Sequence, residues 1–448
     1  MRKSLVLNAS AAMALTFSSS AARAESPDLA AEVARLRAEV DELRAELRAL
    51  RASPPGQPAA TIQAPAPTAA AQAPATEIRW KGAPEFATES GWSFKPRGRM
   101  QFDAGYLWAP ERNSGTADGR DFTSEVRRAY IGFQGTMPGG FGYRIEADIA
   151  TNAVELTDLY LTYDKGPLNV TLGQHYPFLG LEQQTSDLFT SFLERAAFSG
   201  AFNYERRLGL SAGYKLDTLM VNAGIFTDDV TALGNDGNKS YSVDGRVVWM
   251  PKLGSAQLHF GANAHFRDLN GFQGRLGAQY RQRPYLHATD IRYVDTGVLT
   301  ASRETSLGLE AAAVAGRLHF AAEAVRFHVR RPVDTSPTFH GGYAEIGWFL
   351  TDDTRGYRYG AWERTTPKHP LGSGGIGAVQ LNARYDRLDL TDGTILGGKQ
   401  DSYGLSLIWM PTAYVRFLAD YVHLDYEVSG SPSEFDADTV AMRAQIDF

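Results

Sequence analysis

The chain ends in a stretch, Thr439 to Phe448, in which polar and apolar residues alternate. One parity is apolar throughout: Val440, Met442, Ala444, Ile446 and Phe448. Successive side chains of a β-strand point to opposite faces, so the stretch predicts a strand with one apolar and one polar face. The last strand of a transmembrane barrel and an edge strand of a soluble sandwich both fit this pattern.

The same alternation recurs along the chain from Trp92 onward. In Arg99 to Trp108 and in Phe141 to Ile149, one face is apolar with aromatic ends and the other is charged. A water-filled lumen requires a polar inner face, and the membrane interface favours aromatic residues. The pattern therefore favours a barrel and places Arg99, Arg128 and Arg144 on its lumen face. Alternatively, each of these arginines pairs with a nearby carboxylate and only fills the lumen.

The connections between the predicted strands alternate between short turns and long polar loops. Trp249-Met250-Pro251 and Trp409-Met410-Pro411 each end a strand on an interfacial Trp, and the proline prevents its continuation. This segmentation predicts an all-β, antiparallel transmembrane β-barrel of about sixteen strands over 92–448, with both termini on the short-turn, periplasmic rim.

The N-terminal residues predict an exported protein. Arg2 and Lys3 precede a modestly apolar run, and Ala22-Arg23-Ala24 is a cleavage pattern, so 1–24 is predicted to be a signal peptide. Its removal takes three basic residues from a chain of formal net charge −6. An acidic exported protein is a poor candidate for nucleic-acid binding. The mean hydropathy of −0.29, without an apolar run near twenty residues, argues against transmembrane helices.

A heptad pattern follows in 25–52. Its apolar seam is Leu29, Val33, Leu36, Val40, Leu43, Leu47 and Leu50. Glutamates occupy three g positions (Glu32, Glu39 and Glu46) and arginines three e positions (Arg37, Arg44 and Arg51), which allows opposite charges to pair between parallel helices. The pattern predicts a periplasmic α-helical coiled coil that joins subunits, without deciding between two and three chains. The Pro- and Ala-rich composition that follows predicts a linker over 53–91.

Three long connections break the regular alternation: 177–203, 268–303 and 351–374. Long loops in a compact fold are commonly functional. The second of them carries Arg281, Arg283 and Arg292. A barrel of this size encloses an open channel, so loops that fold inward are needed to narrow it.

Seven stretches of the chain resemble the phosphate-selective porin O and P family. They are FKPRGRMQFDAGY (94–106), RRAYIGFQG (127–135), VELTDLYLTY (154–163), GQHYPFLGLEQQTSDLFTSFLERA (173–196), RPYLHATDIRYVDTG (283–297), LTDDTRGY (350–357) and ARYDRLDL (383–390). The set runs in order from Phe94 toward Phe448, and an N-terminal coiled coil with a linker also occurs in that family.

The resemblance implies a trimeric outer-membrane channel of sixteen strands per subunit, with the third loop folded into the lumen. It implies an anion path toward a basic constriction, with Arg127 and Arg128 on the second strand and Arg195 in the third loop. Arg281, Arg283 and Arg292 in the fifth loop match more loosely. The family's most phosphate-selective members carry lysines in the third loop, where this chain has Gln183 and no base near Asp187.

Enzymatic functions find little support in the sequence. There is no nucleotide-binding motif, and the nine histidines lack metal-ligand spacing. We therefore expect a porin for passive diffusion of small anions, phosphate or related solutes first, without cofactor or metal. Its expected partners are outer-membrane lipid, small anions and copies of itself. A general non-selective porin and a tether between outer membrane and cell wall are the alternatives.

Overall fold

The computed structural model describes residues 38, 41, 44, 45, 76–110, 121–232, 240–269, 277–429 and 433–448. The predicted signal peptide, the heptad seam and residues 53–75 lie outside this part of the chain. The four described residues of the predicted coiled coil are helical and exposed. The coiled coil itself stays a prediction.

Sixteen antiparallel strands form the barrel. They are β1 Ser93–Trp108, β2 Asp121–Met137, β3 Phe141–Asp148, β4 Glu155–Lys165, β5 Leu168–His175, β6 Arg207–Lys215, β7 Leu219–Phe226, β8 Tyr241–Trp249, β9 Ala256–Asp268, β10 Arg303–Ala315, β11 Leu318–Arg330, β12 Thr338–Phe349, β13 Ala378–Asp392, β14 Ile395–Met410, β15 Val415–Glu427 and β16 Glu434–Asp447. Each strand pairs with the next along the chain. β16 then pairs with β1, from Asp438 opposite Trp108 to Asp447 opposite Arg99, and closes the sheet. The predicted all-β barrel of sixteen strands is confirmed.

The two faces of the wall have opposite character. On β1, Met100, Phe102 and Trp108 point outward, and Phe102 is 50% exposed. Arg99 and Asp103, on the other parity, are buried inside. Apolar side chains that stay exposed around the whole wall make an outer surface suited to lipid. Among the described residues, no helix is long and apolar enough to cross a membrane.

A hairpin precedes the barrel, where the sequence predicted the end of the linker. Strands Thr76–Trp80 and Pro84–Thr88 pair with each other, and Phe86 pairs with Phe94 of β1. Lys81 and Glu85 form an ion pair at 2.6 Å across the turn. The linker prediction is therefore corrected for 76–88: this segment alternates charged and apolar residues, unlike the Pro/Ala-rich stretch before it.

Three long connections matter for the lumen. The third outer loop is 176–206, the fifth outer loop is 269–302, and the sixth inner turn, 350–377, lies on the opposite rim. Phe202 of the third outer loop stacks on Phe327 of β11 at 4.3 Å, and Tyr280 of the fifth outer loop meets Phe327 and Phe339 at 5.3 and 5.6 Å. The inner wall there is apolar because the loops pack on it.

Candidate functional site

Buried carboxylates of the barrel wall hold the backbone of the third outer loop. The amides of Leu181 and Glu182 donate to Glu323 of β11 at 3.0 and 2.7 Å. The amide of Leu193 donates to Asp420 of β15 at 2.6 Å. A carboxylate that accepts backbone N–H groups satisfies donors that would otherwise be buried without partners. The loop is thus fixed to the barrel wall at Leu181 and Glu182 and again at Leu193.

Arginines of the wall hold the carbonyl oxygens of the same loop. Arg416 donates to the carbonyls of Leu188 and Thr190, the latter at 2.9 Å, and Arg443 donates to the carbonyl of Leu193 at 2.9 Å. Because these bonds involve loop backbone, this part of the anchoring does not depend on the loop's own side chains.

Arg384 of β13 forms a buried bridge between loop and wall. Its Nη2 donates to Glu182 of the loop and to Glu345 of β12, both at 2.6 Å. The guanidinium also lies over the rings of Phe192 and Tyr343 at 4.5 and 4.7 Å. A buried guanidinium that pairs with two carboxylates and stacks on two rings fixes geometry as well as charge.

The sixth inner turn meets the loop from the opposite rim. The amide of Trp362 donates to the hydroxyl of Thr185 at 3.1 Å, and Arg355 donates to the carbonyl of Phe189. Arg246 of β8 holds the turn through the carbonyl of Gly360 at 2.7 Å. Loop and turn therefore support each other inside the lumen.

Two cavities adjoin the third outer loop. The outer cavity, of about 480 Å³, lies toward the long-loop rim, and the inner cavity, of about 430 Å³, reaches the short-turn rim. They share four lining residues: Tyr176, Gln183, Asp187 and Arg195. Among the described residues, six arginines and three carboxylates line the outer cavity. Eight basic and five acidic side chains line the inner one. Both cavities thus carry a basic excess.

Asp187 lies between two arginines of the wall. One carboxylate oxygen accepts from Arg99 of β1, and the other lies 2.6 Å from Nε of Arg128 of β2. Burial acts to raise the pKa of Asp187, but the charges of Arg128 and Arg99 outweigh it and hold this pKa well below its usual range. The carboxylate is therefore charged at neutral pH.

A β-bulge brings two successive arginines to the lumen. Gln101 of β1 pairs with Arg128, whereas Phe102 pairs with Val126, so Arg127 is an extra residue in β2. The bulge lets both side chains point inward, although neighbours in a regular strand point to opposite faces. Arg127 contacts Glu194 of the third outer loop at 3.3 Å.

Arg195 has a different environment from these paired arginines. Its guanidinium donates to the backbone carbonyls of Glu182 and Thr185, at 3.2 and 2.8 Å. Within the described part of the chain, no carboxylate lies within 4 Å of the Arg195 guanidinium. It is therefore a positive charge without a carboxylate partner where the two cavities meet.

The fifth outer loop contributes a like-charged group to the outer cavity. Arg281, Arg283 and Arg292 all line it. Burial, and then the charges of Arg283 and Arg281, lower the pKa of Arg292 to about 10. Arg283 also pairs with Asp290 at 3.7 Å, so part of this positive charge is compensated.

A known protein family matches this chain over the whole barrel. Residues 94–448 match the family model of phosphate-selective porin O and P. The chain belongs to this porin family. Together with the closed barrel and its apolar exterior, membership identifies an outer-membrane porin, and a porin is a channel rather than an enzyme.

Individual relatives and structures agree with the family. An uncharacterised protein of Caulobacter vibrioides is 46% identical over 386 residues, covering 83% of this chain and 77% of that protein. Porin O of Pseudomonas aeruginosa is 26% identical over 416 residues, covering 83% and 92%. The trimer form of OmpT from Vibrio cholerae shares the fold at TM-score 0.53 and 11% identity, covering 80% and 100%. The anion-selective porin of Comamonas acidovorans does so at TM-score 0.51 and 11% identity, covering 80% and 100%.

The porin's cavities gather all eight arginines that the sequence and the resemblance singled out. Arg127, Arg128, Arg195, Arg281, Arg283 and Arg292 line the outer cavity. Arg99, Arg144 and Arg195 line the inner one. Five of them have carboxylate partners within 4 Å, which fits the lumen-filling alternative. These are Arg99 with Glu146 and Asp187, Arg127 with Glu194, Arg128 with Asp187, Arg144 with Asp158, and Arg283 with Asp290.

Sequence reasoning missed other residues of the porin's cavities. Lys95 and Arg97 line the inner cavity, and they share the strand parity of Arg99, so the alternation contained that signal. Arg206 lines it from the loop and contacts Asp158 at 2.6 Å. No sequence pattern pointed to Asp187, because its arginine partners lie far away in the chain.

One group on the porin's outer wall has donor atoms that suit a metal ion. In the described part of the chain, His423, Asp425 and Asp436 bring ligand atoms within 4.8 Å of one another. His423 is already bonded to Asp438 at 2.9 Å and paired with Asp425 at 3.1 Å. The group lines neither cavity, and we assign it no metal.

Proposed function

We propose that this porin passes small anions, with phosphate or related oxyanions as leading solutes, through a neck formed by the third outer loop. The observation that carries the proposal is the basic excess of both cavities around Arg195, whose guanidinium has no carboxylate partner among the described residues. Rings of basic side chains lower the barrier for anions and raise it for cations.

Arginine suits such a path because its guanidinium stays charged and forks onto oxyanions. Arg281, Arg283 and Arg292 collect anions at the outer mouth, and Arg195 passes them to the inner cavity. The chain as a whole is acidic, with formal net charge −6, so selectivity comes from local placement of charge. The family's name and the anion selectivity of the Comamonas acidovorans porin support this choice of solute.

The proposal includes assembly as a homo-oligomer, with a trimer as its expected form. It rests on the heptad seam in 25–52 and on the trimer form of OmpT, which shares the fold. The signal peptide exports the chain, and the coiled coil then lies in the periplasm. Lipid contacts the apolar outer wall.

The test is the reversal potential of the purified porin in planar bilayers under a KCl gradient. We expect an anion-side potential for the wild type and a shift toward cations for Arg195→Gln. Arg317→Gln is the matched control, because Arg317 loses the same charge but lines neither cavity and pairs with Asp352 at 3.5 Å on the inner rim. A cation-side wild-type potential, or equal shifts in both variants, would contradict the proposal.

A general non-selective porin is the second candidate. The carboxylate partners of Arg99, Arg127, Arg128 and Arg144 favour it, because a paired guanidinium attracts a passing anion less. A large current with a reversal potential near zero, and a chloride current that phosphate does not block, would support a general non-selective porin.

A further inference from the structure

The carboxylate of Asp187 occupies the place that an oxyanion would take between two wall arginines. One of its oxygens faces Arg99, and the other faces Arg128. Arg128 is also oriented by Gln101, to which it donates at 2.9 Å. The two guanidinium groups come from neighbouring strands of the rigid wall, whereas the carboxylate comes from the loop. The wall thus presents a preformed pair of donors, and the loop supplies the anion that they share, while Glu146 of the wall pairs with Arg99 alone at 3.3 Å.

A carboxylate offers two oxygens to these arginines, as one edge of a phosphate does. A free anion at the neck must therefore displace Asp187 or bind without the full use of Arg99 and Arg128. Asp187 lines both cavities, so an anion that crosses from one to the other passes this group.

We propose that Asp187 is a built-in competitor for oxyanions at the neck, which keeps the binding of phosphate-class solutes weak. Removing its charge converts Arg99 and Arg128 into a tight oxyanion site. The inference rests on the proposed anion pathway and adds to it the residue that sets affinity. Weak binding suits conduction, because an anion must leave the site as readily as it enters.

The anchoring of the loop separates this role from a merely structural one. The loop backbone is held by Glu323, Asp420 and Arg416, none of which depends on the Asp187 side chain. Loss of the Asp187 charge should therefore leave the loop in place. The nearby Glu194 differs, since it pairs with Arg127 and Arg443 and lines only the outer cavity.

The experiment compares Asp187→Asn with Glu205→Gln in planar bilayers, titrating inorganic phosphate against the chloride current. Both variants lose one carboxylate from the cavity walls. In the described part of the chain, Glu205 has no arginine within ion-pair distance, so its loss frees none. We expect the half-blocking phosphate concentration to fall by about tenfold or more in Asp187→Asn and by much less in Glu205→Gln, where only the long-range effect of one lost charge acts.

Equal changes in the two variants would overturn the inference, because long-range charge alone would then explain them. An unchanged block in Asp187→Asn would also overturn it. Asp187→Ser gives a second variant, and heat-modifiable mobility on gels shows whether each barrel is folded. Failure of both variants to form folded channels would show that the carboxylate is structural, against the inference. The wild-type reversal potential tests the anion pathway separately, so failure of one proposal can be told from failure of the other.

Discussion

Replacing Arg384 by Met should release the third outer loop while leaving the barrel closed. Arg384 bridges Glu182 and Glu345 at 2.6 Å each, and its side chain and both carboxylates are at most 4% exposed. Met fills a similar volume but leaves two buried carboxylates without their cation. Removing one partner of a buried ion pair costs about 3–5 kcal/mol. A free-energy change of about 1.4 kcal/mol is a tenfold change in an equilibrium constant. The equilibrium constant for docking of the loop should therefore fall by roughly a hundredfold to several-thousandfold.

The assay is single-channel conductance, with the temperature at which the folded band is lost on gels as a second readout. Arg384→Met should give a larger and noisier current and a lower transition temperature. Arg387→Met is the control: it lies on the same strand, but its partner Asp401, at 3.0 Å, is on the outer wall, where a pair contributes about 0–1 kcal/mol. Adding Glu345→Gln to Arg384→Met should recover part of the loss. If Arg384→Met and Arg387→Met behave alike, the bridge does not anchor the loop.

Three further predictions follow from other contacts. In Gly180→Ala, the new Cβ would lie 2.2 Å from Oε2 of Glu323, which holds the loop, so the channel current should become noisier. Gly316→Ala is the control, because a Cβ there meets nothing within 4 Å, and equal current noise in the two variants would contradict the prediction. Deleting 25–51 should weaken the oligomer, measured by cross-linking, more than it changes conductance; an equally stable oligomer would refute the coiled coil's role. Burial raises the pKa of Glu205, whereas arginines hold that of Asp187 low. Acidification from about pH 7 to about pH 4.5 should therefore neutralise Glu205 while Asp187 stays charged, and should shift the reversal potential toward anions. Glu205→Gln should lack this shift.

The barrel could be predicted from the sequence because its determinant is local. Alternation decides the two faces of each strand, and it placed Arg99 and Arg144 in the lumen, where the structure has them. The same rule directs Arg127 away from Arg128. In the structure both side chains face the lumen, because Arg127 is the extra residue of a β-bulge opposite Gln101 and Phe102. The bulge depends on how the two strands pair, and the alternation of the sequence does not reveal it.

The candidate site could be predicted only in part, since its contacts join distant segments. The arginines were found from strand parity and from the family resemblance. Their partners were not: Asp187 meets Arg99 across 88 residues, and Glu182 meets Arg384 across 202. The polar inner face that a water-filled lumen requires is also interrupted on β11 and β12. Phe327 and Phe339 point inward there, because loop aromatics cover them.

This apolar packing has a consequence for the pathway. The loops fill the lumen beside β10–β12. In the described part of the chain, the two cavities are lined by β1–β4, by Asp447 of β16 and by the loops and turn. The proposed passage through these cavities is therefore eccentric, and it lies against the strands that carry Arg99, Arg128 and Arg144. Off-centre placement keeps an ion close to these guanidinium groups, where Coulomb attraction is strongest and least screened. On the proposed anion pathway, the loop side chains that face this wall, Asp187 and Arg195, decide how much of its charge a passing anion meets.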